Sequence, residues 1–212
     1  MQLCLFAFLV IYSAAFSVEY QQKIVDAHNE LRSAVAIGNY VAKDDEVVPP
    51  AANMLKMIWN DSLANEAQKF AEECPEKHGE HPGTGENLFK AWDSELIEDV
   101  EQYSFQAVKM WESEFAENGF FSNIYTKETK KKGIGHATQM LWATAGQVGC
   151  GAKNCGVDEK LEGMNKVVMV CRYIERGNVK GNEIYKTGET CSDCPIGTNC
   201  EESSGLCIEN GE

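Results

Sequence analysis

A three-layer sandwich of the α+β class, with helices above and below one sheet and a short disulfide-stapled tail behind it, is the fold this sequence predicts. Three segments repeat apolar residues at the helical period, so each has one face to bury. Residues Val167–Ile174 form a nearly continuous apolar, β-branched run, the signature of a strand covered on both faces. Residues 183–212 hold four of the nine cysteines and hardly any large apolar side chain. A piece of about 30 residues cannot sustain its own core and needs cross-links.

In the first helical segment Ile24, Ala27, His28, Leu31 and Val35 share a face, and Gly38 supplies a stop. His28 belongs to that face and reads as a packed helix residue. Residues 39–56, with Pro49-Pro50 and several acids, read as a loop. The second helix starts near Asn60-Asp61-Ser62, any of which can cap it, and buries Leu63, Ala67, Phe70, Ala71 and Cys74. A third, from about Phe105 to Phe115, puts Phe105, Val108, Trp111 and Phe115 on one side, with Glu114 projecting beside that face.

Residues 1–17 read as an export signal. Leu3 to Tyr12 is apolar, too short for the roughly 20 residues of a bilayer span, and Ala15-Phe16-Ser17 offers small side chains for cleavage after Ser17. Residues 18–182 then make the main domain and 183–212 the cysteine-rich tail. Removing Cys4 leaves eight cysteines, an even number suited to full pairing in an oxidising compartment, though eight allow 105 connectivities. The formal charge of −14 disfavours nucleic acid and anionic membranes as partners, and Lys130-Lys131-Lys132 reads as a solvated loop. Asn60-Asp61-Ser62 is also an acceptor sequon for N-glycosylation at Asn60.

The most specific text is Gly133-Ile134-Gly135-His136-Ala137-Thr138-Gln139-Met140-Leu141-Trp142, with Val148-Gly149-Cys150-Gly151 behind it and Gly85-Glu86-Asn87-Leu88 and Cys74-x3-His78 ahead of it. These stretches, with Cys171-Arg172-Tyr173-Ile174, resemble the CAP superfamily: cysteine-rich secretory proteins, venom antigens and pathogenesis-related proteins. The likeness is greatest to the venom-allergen-like, activation-associated secreted proteins of nematodes, over roughly residues 20–180. Gly79, Ala137 and Glu175 depart from common family residues. The resemblance implies an α-β-α sandwich and the pairs Cys74–Cys155 and Cys150–Cys171. For the tail motif Cys191-x2-Cys194-Pro195-x4-Cys200-x6-Cys207 it implies Cys191–Cys200 and Cys194–Cys207. A Cys4 zinc site and dithiol chemistry at Cys191/Cys194 are the competing readings of the tail.

His78, Glu86, Glu114 and His136 match the two histidines and two glutamates that line the family's central cavity; His81, three residues from His78, competes for its place. Two neutral imidazoles beside carboxylates suit a divalent ion, Zn2+ above all, with the carboxylates orienting the rings. The same four groups also suit a purely structural polar network. Phe120, Phe121 and Tyr125 lie where some family members bind sterol, and core packing is the alternative for them. There is no His-Glu-x-x-His or Gly-x-Ser-x-Gly text. The expectation is a secreted, non-enzymatic extracellular protein that binds partner proteins or lipid. A sterol or fatty-acid carrier and a metal-dependent hydrolase working from the His/Glu cavity are the alternatives.

Overall fold

The computed structural model describes residues 16–210; Cys4 and all of the expected export signal except Phe16 and Ser17 lie outside them. The chain runs through α1 (Val18–Ala36), β1 (Ile58–Trp59), α2 (Asp61–Glu72), β2 (Gly85–Asp93), α3 (Gln102–Asn118), α4 (Lys127–Lys131) and α5 (Gly135–Leu141). It continues through β3 (Gln147–Asp158), β4 (Met164–Ile174), β5 (Thr198–Glu201) and β6 (Leu206–Glu209). One sheet has the order β1-β3-β4-β2, with β1 parallel to β3 and the other neighbours antiparallel. It is covered on both faces, as the Val167–Ile174 run implies.

Alternation along β4 divides the two faces. Val168 and Val170 pack with Ala67, Ala71 and Phe70 of α2. Val167, Met169, Cys171 and Tyr173 join the larger core under α1, α3 and α5. Helix α2 lies so close to β3 that a Cβ on Gly149 would stand 2.2 Å from the Ala64 nitrogen, and one on Gly151 2.3 Å from the Gln68 Cα. Glycine is required there because backbone meets backbone.

Four disulfides join Cys74–Cys155, Cys150–Cys171, Cys191–Cys200 and Cys194–Cys207. Cys150 and Cys171 are direct partners in the β3–β4 register. The tail is bound into the body of the molecule: Leu206 belongs to the main core, the Cys207 N–H donates to the Met54 carbonyl (2.8 Å), and Ser33 Oγ donates to the Ser204 carbonyl (2.6 Å).

Several expectations need correction. Phe105, placed on the apolar face of α3, is 48% exposed, because that helix buries Tyr103, Ser104, Ala107, Val108, Trp111 and Phe115 instead. Lys130 and Lys131 close the short helix α4, which Thr126 caps, although the run is solvated as expected. Residues 39–56 carry three isolated bridges, Val41 to Val47, Ala51 to Thr187 and Leu55 to Cys207, and so are less free than a loop. Asn60 caps α2, as expected, by accepting the Leu63 N–H (3.0 Å), and its Nδ2 donates to Gln147 Oε1 (2.5 Å).

Two fully buried polar residues on α1 organise the interior. Arg32 donates from Nε and Nη2 to the Leu55 carbonyl (2.8 and 2.6 Å), from Nη1 to Met140 and Trp142 (both 2.9 Å), and from Nη2 to Ala143 (2.9 Å). All five donors are used and none meets a carboxylate. Burial lowers its pKa to about 9, which leaves it charged at neutral pH. His28 donates from Nδ1 to the Ile24 carbonyl (2.7 Å), which fixes the tautomer, so the Tyr173 hydroxyl donates to Nε2 (2.9 Å).

Replacing Arg32 by Met leaves four inward-facing carbonyls without their donor. The expected loss is about 3 kcal/mol or more, read as a fall in Tm of about 6–12 °C; an unchanged Tm would sink the assignment. His28 sets a pH slope. Burial holds its pKa down at about 4 against 6.5 when free. Between those values the unfolded chain binds a proton that the folded chain refuses. Stability therefore falls as pH drops from 6.5 to 4, by up to about 3 kcal/mol, and is indifferent to this group above that window. Urea unfolding across it should show a flatter slope for His28→Gln than for the parent chain.

Candidate functional site

Helix α5 lies against α3 and the end of β2, and its first turn presents His136. Seven residues make too short a helix to persist alone, and its first N–H groups need outside partners. Glu114, from α3, supplies them. One carboxylate oxygen accepts the main-chain N–H of His136 (2.9 Å) and of Ala137 (3.0 Å), and the other accepts the His136 Nδ1–H (2.5 Å). Trp111, one turn earlier on α3, stacks on the His136 ring with centroids 5.8 Å apart and planes 21° from parallel.

The second half of the site comes from the other side of β2. His78 follows α2 on the segment that the Cys74–Cys155 bridge tethers. Its Nδ1–H donates to Glu86 Oε1 (2.6 Å), which also accepts the Gly79 N–H (3.2 Å). Glu86 stands directly across from Arg172 in the β2–β4 register. Arg172 Nη1 lies 2.8 Å from Glu86 Oε2, an ion contact without hydrogen-bond alignment. The Arg172 side chain is fully buried and Glu86 nearly so, so each offsets the other's desolvation.

All four expected cavity residues therefore converge as two Glu–His pairs, with the imidazole centroids 6.2 Å apart. His81 stands at the edge of the site, its Nε2 3.9 Å from Glu86 Oε2. Its Nε2 accepts from the Arg172 guanidinium and its ring meets Phe70 edge-on, so that nitrogen's lone pair is taken. Burial, then the Arg172 charge, lowers its pKa. In each of His78 and His136, by contrast, a carboxylate accepts from Nδ1. The neutral ring then carries its lone pair on Nε2, free to meet a Lewis acid or an acidic proton.

A second network steadies the same place from below. Asn87 donates from Nδ2 to the Tyr173 hydroxyl and to the His136 carbonyl (both 3.2 Å). The motif residue Gln139 is seated between Gly85 and Gly177, where a Cβ would come within 2.3 and 2.8 Å of its side chain. Sequence reasoning missed Trp111, Asn87, Arg172 and Tyr173 as members of the site. The available signal was Arg172, a charge inside an otherwise apolar strand, which requires a buried partner.

The aromatic candidates separate. Phe120 packs on Phe115 and Tyr185, and Tyr125 meets Trp142 edge-on; both are buried in the core. Phe121 is half-exposed, with the Lys132 ammonium 5.4 Å from its ring. In the tail, sulfurs of Cys191, Cys194 and Cys207 lie within 4.8 Å of one another, but each belongs to a disulfide. A bonded sulfur is not a thiolate ligand, which removes the Cys4 zinc and dithiol readings. Among the described residues no helix is long and apolar enough to cross a membrane.

The comparisons with known proteins bear on the family and the fold. The model of the cysteine-rich secretory protein family, CAP, matches residues 25–173. "Peptidase inhibitor 16" of Mus musculus is 34% identical over 193 residues, 90% of this chain and 34% of its own length. "Ancylostoma secreted protein" of Ancylostoma caninum is 35% identical over 190 residues, 86% of this chain and 42% of its own. This chain thus spans between a third and a half of the length of these two relatives. The solved structure "Crystal structure of NaASP2 with Zn2+" superposes with a TM-score of 0.79 at 35% identity, covering 92% of this chain and 98% of that one. The chain belongs to the cysteine-rich secretory protein (CAP) family.

Proposed function

We propose that this chain is an exported, non-catalytic binding protein that acts outside the cell on protein or lipid partners and takes a Zn2+ ion between His78 and His136. One observation carries the metal reading: both imidazoles are tied at Nδ1 to a carboxylate, which leaves Nε2 of each ring for a ligand, and the ring centroids lie 6.2 Å apart. The donor set fits, since imidazole nitrogen suits Zn2+ better than Ca2+ or Mg2+, which prefer oxygen. Two protein ligands leave the remaining positions to water or to a partner's side chain. Once bound, the ion supplies Lewis acidity and a bridge to such a group. A related structure is described with Zn2+.

The non-catalytic reading rests on the same contacts. A carboxylate serves as general base only where it is free to take a proton. Glu114 accepts three hydrogen bonds, and Glu86 is shared among His78, Gly79 and Arg172. No cysteine among the described residues is a free thiol. Export is supported by the four disulfides and by a relative named as secreted.

Titration calorimetry with Zn2+ at pH 7.5 should give a single site in the parent chain. Affinity should fall at least about 100-fold in His78→Ala/His136→Ala; equal heats in both would remove the metal reading. Glu114→Gln is expected to keep the ring nitrogens but free the His136 tautomer, weakening Zn2+ about 10-fold or more. In long-range 1H–15N spectra at pH 8 the parent His136 should carry its proton on Nδ1, and the variant a mixture. A variant spectrum identical to the parent's would show that Glu114 does not set the tautomer.

A further inference from the structure

We propose that the exported chain begins at Phe16, cut after Ala15, and not at Val18 as the pattern Ala15-Phe16-Ser17 suggests. The proposal rests on the export reading above. Ser13-Ala14-Ala15 offers the processing enzyme the same small-x-small pattern two residues earlier, so sequence alone does not choose between the sites.

The fold favours the earlier site, because it uses residues that the later cut would remove. Phe16 is 5% exposed and belongs to the main core, whereas Val18 is 79% exposed. A cut after Ser17 would discard a core aromatic and leave a largely solvated valine at the end of the chain. That is the largest difference between the two sites, because a ring of this size is among the most stabilising side chains to bury.

The start of α1 gives two smaller differences in the same direction. The Phe16 carbonyl accepts the Gln21 side-chain N–H (2.7 Å), and the Ser17 carbonyl accepts the Gln21 main-chain N–H (2.9 Å), which closes the helix's first turn. Ser17 meets Glu101 twice: its main-chain N–H donates to Oε1, and its hydroxyl to Oε2 (3.1 Å). Glu101 is itself the residue flanking the start of α3. The carboxylate thus sits at the positive end of α1, where a negative charge is favoured. Cutting after Ser17 removes those contacts and places a new α-ammonium at the first helical residue, the end where positive charge is disfavoured. Cutting after Ala15 keeps all of them.

The test is to express residues 1–212 in eukaryotic secretory cells and identify the N-terminal peptide of protein from the medium by mass spectrometry. A peptide beginning at Phe16 is the expected result. One beginning at Val18 overturns the proposal and leaves export standing; uncut chain held inside the cells overturns both. A second arm compares refolded chains spanning 16–212 and 18–212. The shorter should melt at least about 4 °C lower, or fail to fold, and equal melting would overturn the argument from Phe16.

Discussion

The short helix that carries His136 exists because opposite charges hold its two ends. Glu114 of α3 closes the N-terminal end, and the Arg32 guanidinium of α1 closes the other through the carbonyls of Met140, Trp142 and Ala143. The helix dipole favours this arrangement at each end. A buried cation without a counter-ion would ordinarily cost several kcal/mol. Here the carbonyls at a helix C-terminus act as a distributed counter-charge, and Leu55 completes the set. Arg32 thereby joins α1, the segment entering β1 and the exit of α5 at one point. The position of His136 follows from that junction.

The sheet supplies the other constraint, and consecutive residues divide the work. On β2, Glu86 faces the α2 side and meets His78, while Asn87 faces the opposite side and meets the His136 carbonyl. On β4, Arg172 meets Glu86, and Tyr173 meets Asn87 and His28. Because side chains alternate across a strand, two adjacent residue pairs reach both halves of the site from one ladder. A one-residue slip of β2 against β4 would invert both networks together. The site's geometry and the sheet's register are therefore one specification.

Periodicity made the helices legible, since Ile24, Leu31 and Val35, or Val108, Trp111 and Phe115, recur at the helical repeat. It failed for β3, whose Val148-Gly149-Cys150-Gly151 text lacks β-branched weight on one face. The glycines that weaken the pattern are there to admit the α2 backbone. It also failed for Phe105, because amphipathic spacing says which residues share a face but not how far the covering layer extends. The four cavity residues were legible through motif likeness alone; no local rule brings positions 78, 86, 114 and 136 together. Arg32 was hidden for another reason. Its partners are main-chain carbonyls, which every residue has and no sequence pattern marks.

The two halves of the site differ in rigidity, and that difference bears on how it would meet a ligand. His136 is held by a stacked indole, by a carboxylate that also caps its helix, and by Asn87 on its carbonyl, and its side chain is 31% exposed. His78 sits on an irregular segment, is 59% exposed, and is steadied by the Cys74–Cys155 bridge and a single carboxylate. Ordering a side chain costs entropy, so a ligand drawing both rings together spends more on His78 than on His136. Arg172 limits that cost by fixing Glu86 from behind, which leaves the ring one anchored nitrogen about which to pivot. The site is then preorganised at His136 and adjustable at His78.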